Sequence, residues 1–252
     1  MALNGKTALV TGGGRGIGEA IARHLAELGT KVVVCGRTET DIGRVAADIG
    51  GRAIVADLTN RHSTDTMLET LAREGSIDIL VNNAGMAISA PLEKITDDDW
   101  NRVIALNLTA AFRLTRALVP LMVKRGWGRL VNIASNAGVS GYRYTAAYCA
   151  SKHGLVGMTR ALAIDLGLTG VTSNAVCPGW VATDMAEEAV TRIADKTGRS
   201  LREAKKVLAS MSPQQRFIEP SEIAAVVGML CSEGARGING QAIVVDGGQV
   251  LK

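Results

Sequence analysis

Thr7-Ala8-Leu9-Val10-Thr11-Gly12-Gly13-Gly14-Arg15-Gly16-Ile17-Gly18 is the stretch that decides the fold. An apolar run of strand length ends in a glycine-rich turn, and a helical pattern begins at once, over 17–28. Glycines let the backbone turn sharply and approach a diphosphate, while the new helix offers free N–H groups and partial positive charge. The bland reading is a plain strand–helix turn. The density of glycines and the strand–turn–helix setting favour a dinucleotide-binding opening.

Outward from this turn, strand-like and helix-like stretches alternate. Short apolar runs rich in Val and Ile occupy Thr7 to Thr11, Lys31 to Cys35, Ala53 to Ala56, Ile77 to Val81, Arg129 to Ala134, Val171 to Cys177 and Gln241 to Val245. Such runs suit strands buried on both faces. Amphipathic stretches of helical length cover 17–28, 40–49, 61–74, 97–124, 147–168 and 220–231. The alternation predicts an α/β fold: a single Rossmann-like, doubly wound parallel sheet of about seven strands with helices on both faces. Residues 184–212 break the rhythm with one or two helices around Gly198. An excursion after a strand's carboxyl end is expected to lie over the ligand crevice as a helical lid.

The chain has 252 residues, 47% of them hydrophobic and 21% charged. That is enough for one sizeable core, and no linker, repeat or low-complexity segment divides it, so one domain over 1–252 is expected. No basic segment followed by an apolar run stands at the start, and no stretch approaches a membrane span. A cytoplasmic protein without a membrane partner is the expectation. Cys35, Cys149, Cys177 and Cys231, and His24, His62 and His153, are scattered without zinc-ligand spacing, so no metal is expected. The net charge is +4. Residues 189–212 account for it with Arg192, Lys196, Arg199, Arg202, Lys205 and Lys206 against Asp195 and Glu203. A solvated helix face is the plain reading. Nucleic acid is disfavoured, because aromatic residues are 3% and no reading motif is present.

The glycine spacing is TGxxxGxG, carried by Thr11, Gly12, Gly16 and Gly18, and it resembles the motif of classical short-chain dehydrogenases/reductases. Asn82-Asn83-Ala84-Gly85 resembles that family's NNAG. Asp57 matches its adenine-contacting acid, and Pro178-Gly179 with Thr183 its nicotinamide-holding loop. The resemblance runs from about Lys6 to Gly248. It implies cofactor contacts at Gly12, Gly14, Arg15, Gly16, Ile17, Gly18, Asp57, Leu58, Asn83, Ala84, Gly85, Pro178, Gly179, Val181 and Thr183. The second strand ends Val34-Cys35-Gly36-Arg37, without the acid that would accept from a ribose 2′-hydroxyl. Arg37, helped by Arg15, suits a 2′-phosphate instead. NADP(H) is therefore expected, with NAD(H) the alternative and a solvated Arg37 the bland reading.

Tyr148 and Lys152 stand four apart on one helix face. An ammonium beside a phenol favours phenolate, and the pair suits acid–base work on an alcohol or ketone oxygen. Such pairs are also commonly structural. Ser135 ends a strand at the sheet's carboxyl edge; no GxSxG elbow or His/Asp partner marks it as a nucleophile. Asn107 falls on the apolar stripe of Val103, Ile104, Leu108, Ala111, Leu114 and Leu118, where a buried amide needs partners. Asn107, Ser135, Tyr148 and Lys152 match the family's catalytic tetrad. The resemblance implies hydride transfer to a carbonyl carbon, Tyr148 protonating the oxygen, Ser135 orienting it, and Lys152 holding the nicotinamide ribose and tuning Tyr148. Asn107 would relay protons through water, its alternative being a structural asparagine.

The loop from Asn136 to Tyr144 is expected to line the substrate pocket, so Ser135, Tyr148 and the one charge there, Arg143, are the substrate candidates. The lid resembles that of 3-hydroxybutyrate dehydrogenases. Ala87, Ala137 and Thr145 stand where those enzymes grip a carboxylate, so the anchors are missing. Ser151-Lys152-His153-Gly154 and Asn174 to Gly179 resemble 3-oxoacyl-thioester reductases and polyketide ketoreductases. A basic lid would suit the phosphates of a CoA or carrier-protein arm. The expectation is a 3-oxoacyl thioester reductase. The alternatives are a reductase of hydrophobic or aromatic ketones and, in another class, a non-catalytic cofactor sensor. The resemblance also implies a homotetramer.

Overall fold

A computed structural model describes residues 3–251; Met1, Ala2 and Lys252, at the ends of the expected 1–252 domain, lie outside the described residues. Seven parallel strands form one sheet: β1 (Thr7–Thr11), β2 (Lys31–Gly36), β3 (Arg52–Val55), β4 (Ile79–Asn82), β5 (Gly128–Ile133), β6 (Val171–Pro178) and β7 (Ala242–Val245), in the order β3-β2-β1-β4-β5-β6-β7. The order reverses between β1 and β4. Their carboxyl ends, Thr11 and Asn82, flank the crevice where such sheets bind ligands.

The helices α1 (Gly16–Glu27), α2 (Glu39–Asp48), α3 (Arg61–Glu74), α4 (Asp97–Ile104), α5 (Ala110–Arg125), α6 (Ala146–Asp165) and α9 (Pro220–Cys231) cover both faces. The strand pleat sends alternate side chains to opposite layers. Ala8 and Val10 of β1 join one core with Ile21, Leu25, Ile223 and Val227, and Leu9 joins the other with Met67, Leu71, Leu114 and Met122. Each fully buried Val, Leu, Ile or Met side chain among these contributes roughly 1.5–3 kcal/mol. This two-sided burial is why the strands read as continuous Val/Ile runs rather than alternating ones.

The expected helix over 97–124 is interrupted: α4 and α5 are joined by a π turn at Ala105–Thr109. A Thr96–Asp99 capping box starts the run. The stretch from Asp97 to Arg125 is long and apolar enough to cross a membrane by composition. However, Val103, Ala111, Leu114, Leu118 and Met122 are buried within the protein, which is what a core helix requires.

Residues 184–212 form two helices, α7 (Asp184–Thr197) and α8 (Leu201–Ala209). Gly198 closes α7 at φ 70°, the left-handed backbone that favours glycine, and Ser200 with Glu203 caps α8. Ala189, Val190, Ala194, Ala204, Leu208 and Phe217 form a small core of their own beneath the pair.

Candidate active site

The glycine turn leaves β1 with Gly12 at φ 63° and Gly16 at φ 56°. Gly18 is required by contact: a Cβ there would lie 2.1 Å from the Gly12 carbonyl oxygen. Gly14 packs on α2, where a Cβ would meet the Asp41 Cβ at 2.8 Å. Helix α1 starts at Gly16 with no side-chain cap from Arg15, so first-turn N–H groups are left to an anion. Ile17 packs against the neighbouring core.

Thr11 Oγ accepts from the backbone N–H groups of Asn83 (2.9 Å) and Ala84 (3.0 Å). Asn83 Nδ2 donates to the carbonyls of Thr11 (2.8 Å) and Gly12 (3.2 Å). The Asn83 amide is therefore spent on locking the two adjacent loops together. In the sequence Thr11 is marked only by its motif. The tie that its hydroxyl makes is seen only once β1 and β4 are neighbours.

The four tetrad candidates converge beyond β4 and β5. Ser135 is buried, and its Oγ accepts from Ala137 N at 3.1 Å. The Ser135 side chain lies near enough to the Tyr148 hydroxyl to favour its phenolate. Lys152 is buried, and its Nζ donates to the Ile133 carbonyl at 2.8 Å and lies 5.7 Å from the centre of the Tyr148 ring. Asn107 Oδ1 accepts from Met86 N (2.8 Å), while Nδ2 donates to Met86 O (2.9 Å) and to Ser151 Oγ (3.0 Å). Ser151 Oγ in turn donates to the Tyr148 carbonyl at 2.7 Å. The π turn carries Asn107, and this side-chain bonding to Met86 accompanies the break in the helix. A Cβ at Gly85 would sit 3.2 Å from Asn107 Oδ1 and 3.5 Å from Lys152 Nζ, so both groups face that glycine.

The electrostatics differ from the sequence expectation. Burial pushes the Tyr148 hydroxyl up from its ordinary value, with the Ser135 side chain opposing. Burial also pushes Lys152 down to about 8. The ammonium points to the Ile133 carbonyl rather than to the phenol oxygen, so desolvation outweighs its pull on Tyr148.

The outlying candidates are placed as follows. Arg37 is exposed at the end of β2 and has no ion pair among the described residues, although its charge helps hold the Asp57 carboxyl low. The main cause of that lowering is the Thr59 hydroxyl, at 2.7 Å. Leu58 is buried in the core, which leaves its backbone as the part facing outward. Arg15 pairs with Asp184 at 3.1 Å, joining the glycine turn to the start of α7. Thr183 precedes α7, with its methyl beside Gly16. Pro178 ends β6, Gly179 N donates to Val245 O at 3.0 Å, and buried Val181 bridges to Ile218. Arg143 is exposed on its loop. Asn136, in the loop expected to line the pocket, and Asp246, which had no sequence signal, are both buried and joined at 3.2 Å beside Ser135.

The chain is similar to known proteins. The family model described as short chain dehydrogenase matches residues 6–194. D-beta-hydroxybutyrate dehydrogenase of Cupriavidus necator is 39% identical, over 99% of this chain and 100% of its own. The 3-oxoacyl-acyl-carrier-protein reductase FabG of Haemophilus influenzae is 37% identical, over 99% of this chain and 100% of its own. A crystal structure of a single-residue variant of the actinorhodin polyketide ketoreductase with NADPH superposes with a TM-score of 0.93 at 37% identity, covering 99% of both chains. With the glycine turn, the switch point and the Ser135–Tyr148–Lys152 cluster in place, the chain belongs to the short-chain dehydrogenase family and is an oxidoreductase acting on CH–OH groups.

Proposed function

We propose that the protein is an NADP(H)-dependent reductase that converts 3-oxoacyl thioesters to 3-hydroxyacyl thioesters. The observation that carries the substrate reading is the exposed cationic surface of α7 and α8. Lys196, Arg199, Arg202 and Lys206 are exposed and make no ion pair among the described residues. Asp184, at the other end of α7, lies against the glycine turn through Arg15. At 1.5 Å per residue, Lys196 stands about 18 Å from Asp184, a span that a phosphorylated pantetheine arm can cover. Ala87, Ala137 and Thr145 offer no cationic grip for a free short carboxylate.

The residues present fit NADP(H): the uncapped α1 amides and close-packed glycines would hold the diphosphate, and Arg37 the 2′-phosphate. When bound, the cofactor supplies or accepts hydride at the carbonyl carbon. Tyr148 gives its proton to the carbonyl oxygen during reduction, and its raised pKa keeps that proton in place at neutral pH. Ser135 donates to the same oxygen and fixes its direction. Lys152, its pKa lowered by burial to about 8, still carries its proton near neutrality and keeps a cation beside the Tyr148 ring. Asn107 holds Met86 and, through Ser151, the first turn of α6 that carries Tyr148.

We further infer a cytoplasmic homotetramer. Cys35, Cys149, Cys177 and Cys231 are all free thiols, as a reducing compartment favours. Phe112 and Leu121 on α5, and Ile164 and Leu168 near the end of α6, are exposed apolar side chains suited to subunit contact.

The test is initial rates of NADPH and NADH oxidation with acetoacetyl-CoA beside an aromatic ketone of similar size. Faster NADPH turnover on the thioester supports the assignment. Turnover of the ketone alone overturns the thioester reading, and preference for NADH overturns the role of Arg37. Tyr148→Phe should abolish turnover while leaving NADPH binding intact; wild-type protein that binds NADPH yet reduces nothing would be a sensor.

A further inference from the structure

A second tyrosine stands beside the tetrad, and the mechanism above leaves it idle. Tyr142 lies six residues before Tyr148 on the loop leading to α6 and is half-buried. Its hydroxyl oxygen accepts from Gln249 Nε2 at 3.1 Å. Gln249 belongs to the segment after β7, which the buried Asp246 carboxylate fastens. Asp246 Oδ1 accepts from Gly248 N and Gln249 N, both at 3.0 Å, and Oδ2 accepts from Val250 N at 2.9 Å. The same Oδ2 accepts from Asn136 Nδ2 at 3.2 Å. Asn136 adjoins Ser135, and its Oδ1 lies 3.5 Å from Ser135 Oγ. One buried carboxylate thus fixes both the turn after Ser135 and the segment that grips Tyr142.

The backbone is held as well. Thr145 Oγ donates to the Tyr142 carbonyl at 2.9 Å. Tyr144 sits at φ 65°, a conformation a bulky residue adopts only when its surroundings impose it. Its carbonyl accepts from Ala90 N at 2.9 Å, tying this loop to the segment that follows Gly85.

The Tyr142 oxygen accepts from Gln249 Nε2, and the Asn136 side chain beside it favours the phenolate, as an N–H directed at the oxygen does, so the phenol's own proton is left for a further acceptor. Burial, reinforced by the Asp246 charge, pushes its pKa up to about 12, so it stays a donor at any working pH. The nearby carboxylate disfavours an anionic partner and leaves a neutral oxygen as the fitting one.

We propose that the Tyr142 hydroxyl is a specificity-determining donor that holds the second carbonyl oxygen of a 1,3-dioxygenated substrate, while Ser135 and Tyr148 hold the reacting oxygen. The inference rests on the 3-oxoacyl reading and gives its pocket a second polar anchor. It predicts selection for the 3-oxo acyl group itself, independently of any phosphate on the thioester arm.

The experiment compares kcat and KM of the wild-type enzyme, Tyr142→Phe and Gln249→Leu on three substrates: acetoacetyl-CoA, ethyl acetoacetate, and a monofunctional ketone of similar size. Tyr142→Phe should lower kcat/KM about tenfold on both 3-oxo compounds, the scale of one lost neutral hydrogen bond, mainly through KM. The ketone should change less than twofold, and NADPH binding should be unaltered. Gln249→Leu, which frees the phenol without removing it, should shift the same ratio by a smaller factor; it keeps the test open if Tyr142→Phe folds poorly. Equal losses on all three substrates, or none, overturn the inference. A wild-type enzyme that reduces the ester but not the CoA thioester overturns the thioester reading alone. One with no preference for either 3-oxo compound over the ketone overturns the inference too.

Discussion

Lys152→Met should make the cofactor-free protein more stable while abolishing its turnover. Lys152 is 4% exposed, and burial lowers its pKa from 10.5 to about 8. At about 1.4 kcal/mol per pH unit, keeping this ammonium charged at pH 7 costs the fold about 3 kcal/mol. Methionine fills a similar volume without the charge, and loses one hydrogen bond to the Ile133 carbonyl, about 1 kcal/mol. A net gain of about 2 kcal/mol remains. The sign can be checked through pH. The folded protein sheds the Lys152 proton near pH 8, whereas the unfolded chain keeps it to about 10.4. Wild-type stability therefore gains from this group as pH rises between those values, and the variant's does not. Urea unfolding of both proteins, at one protein concentration and without cofactor, should show the variant ahead at pH 7 and the difference shrinking by pH 10. A variant less stable than wild type at pH 7, or a gap unchanged at pH 10, would refute the claim that desolvation dominates at this lysine.

Two other outcomes are expected. Arg37→Asp should lower kcat/KM for NADPH by about tenfold or more, the scale of one charge-assisted hydrogen bond, and raise it for NADH; parallel initial rates with both cofactors decide this. Glu19, held by Arg44 and Arg23, has its carboxyl lowered to about 2. Its folded value lies below the ordinary one, so its contribution is present above pH 4.5 and is lost as pH falls toward 2. Glu19→Gln should therefore lose about 1 kcal/mol at pH 7, an amount set by water screening, and show a flatter acid unfolding profile by circular dichroism.

The architecture was legible because its signals are local. A strand buried on both faces favours apolar residues, so β1 and β2 stand out as Val-rich runs, while β5 and β6 keep apolar stretches around buried polar residues such as Asn132 and Asn174. The glycines at 12, 16 and 18 answer needs of backbone conformation and contact that no other residue meets. The 148–152 spacing needs only a helix. What escaped depends on contacts distant in sequence. The π turn at 105–109 interrupts a pattern that periodicity shows as continuous, and the Asn107 bonds to Met86 that accompany it cross 21 residues. Arg15 faces Asp184 across 169 residues. The opposed shifts of Tyr148 and Lys152 reverse the simple expectation for an ammonium near a phenol, because spacing reports nearness and says nothing of desolvation.

The buried polar residues at the sheet's carboxyl edge share one physical logic. A cleft at the switch point is made of strand ends and loops from distant parts of the chain, and apolar packing alone fixes such loops loosely. Each is instead fastened by a side chain whose polar atoms would be expensive to bury unpaired. Thr11 and Asn83 join the loops after β1 and β4; Asn107 joins the loop after Gly85 to α6 through Ser151; Asp246 joins the turn after Ser135 to the segment after β7. Because a half-made network costs more than none, these ties form together or not at all, which holds Ser135, Tyr148 and Lys152 in register. The same rigidity makes an uncompensated charge tolerable at Lys152. The surrounding ties keep the ammonium from escaping to water, so the fold bears about 3 kcal/mol of strain at the residue placed to exchange a proton near neutral pH.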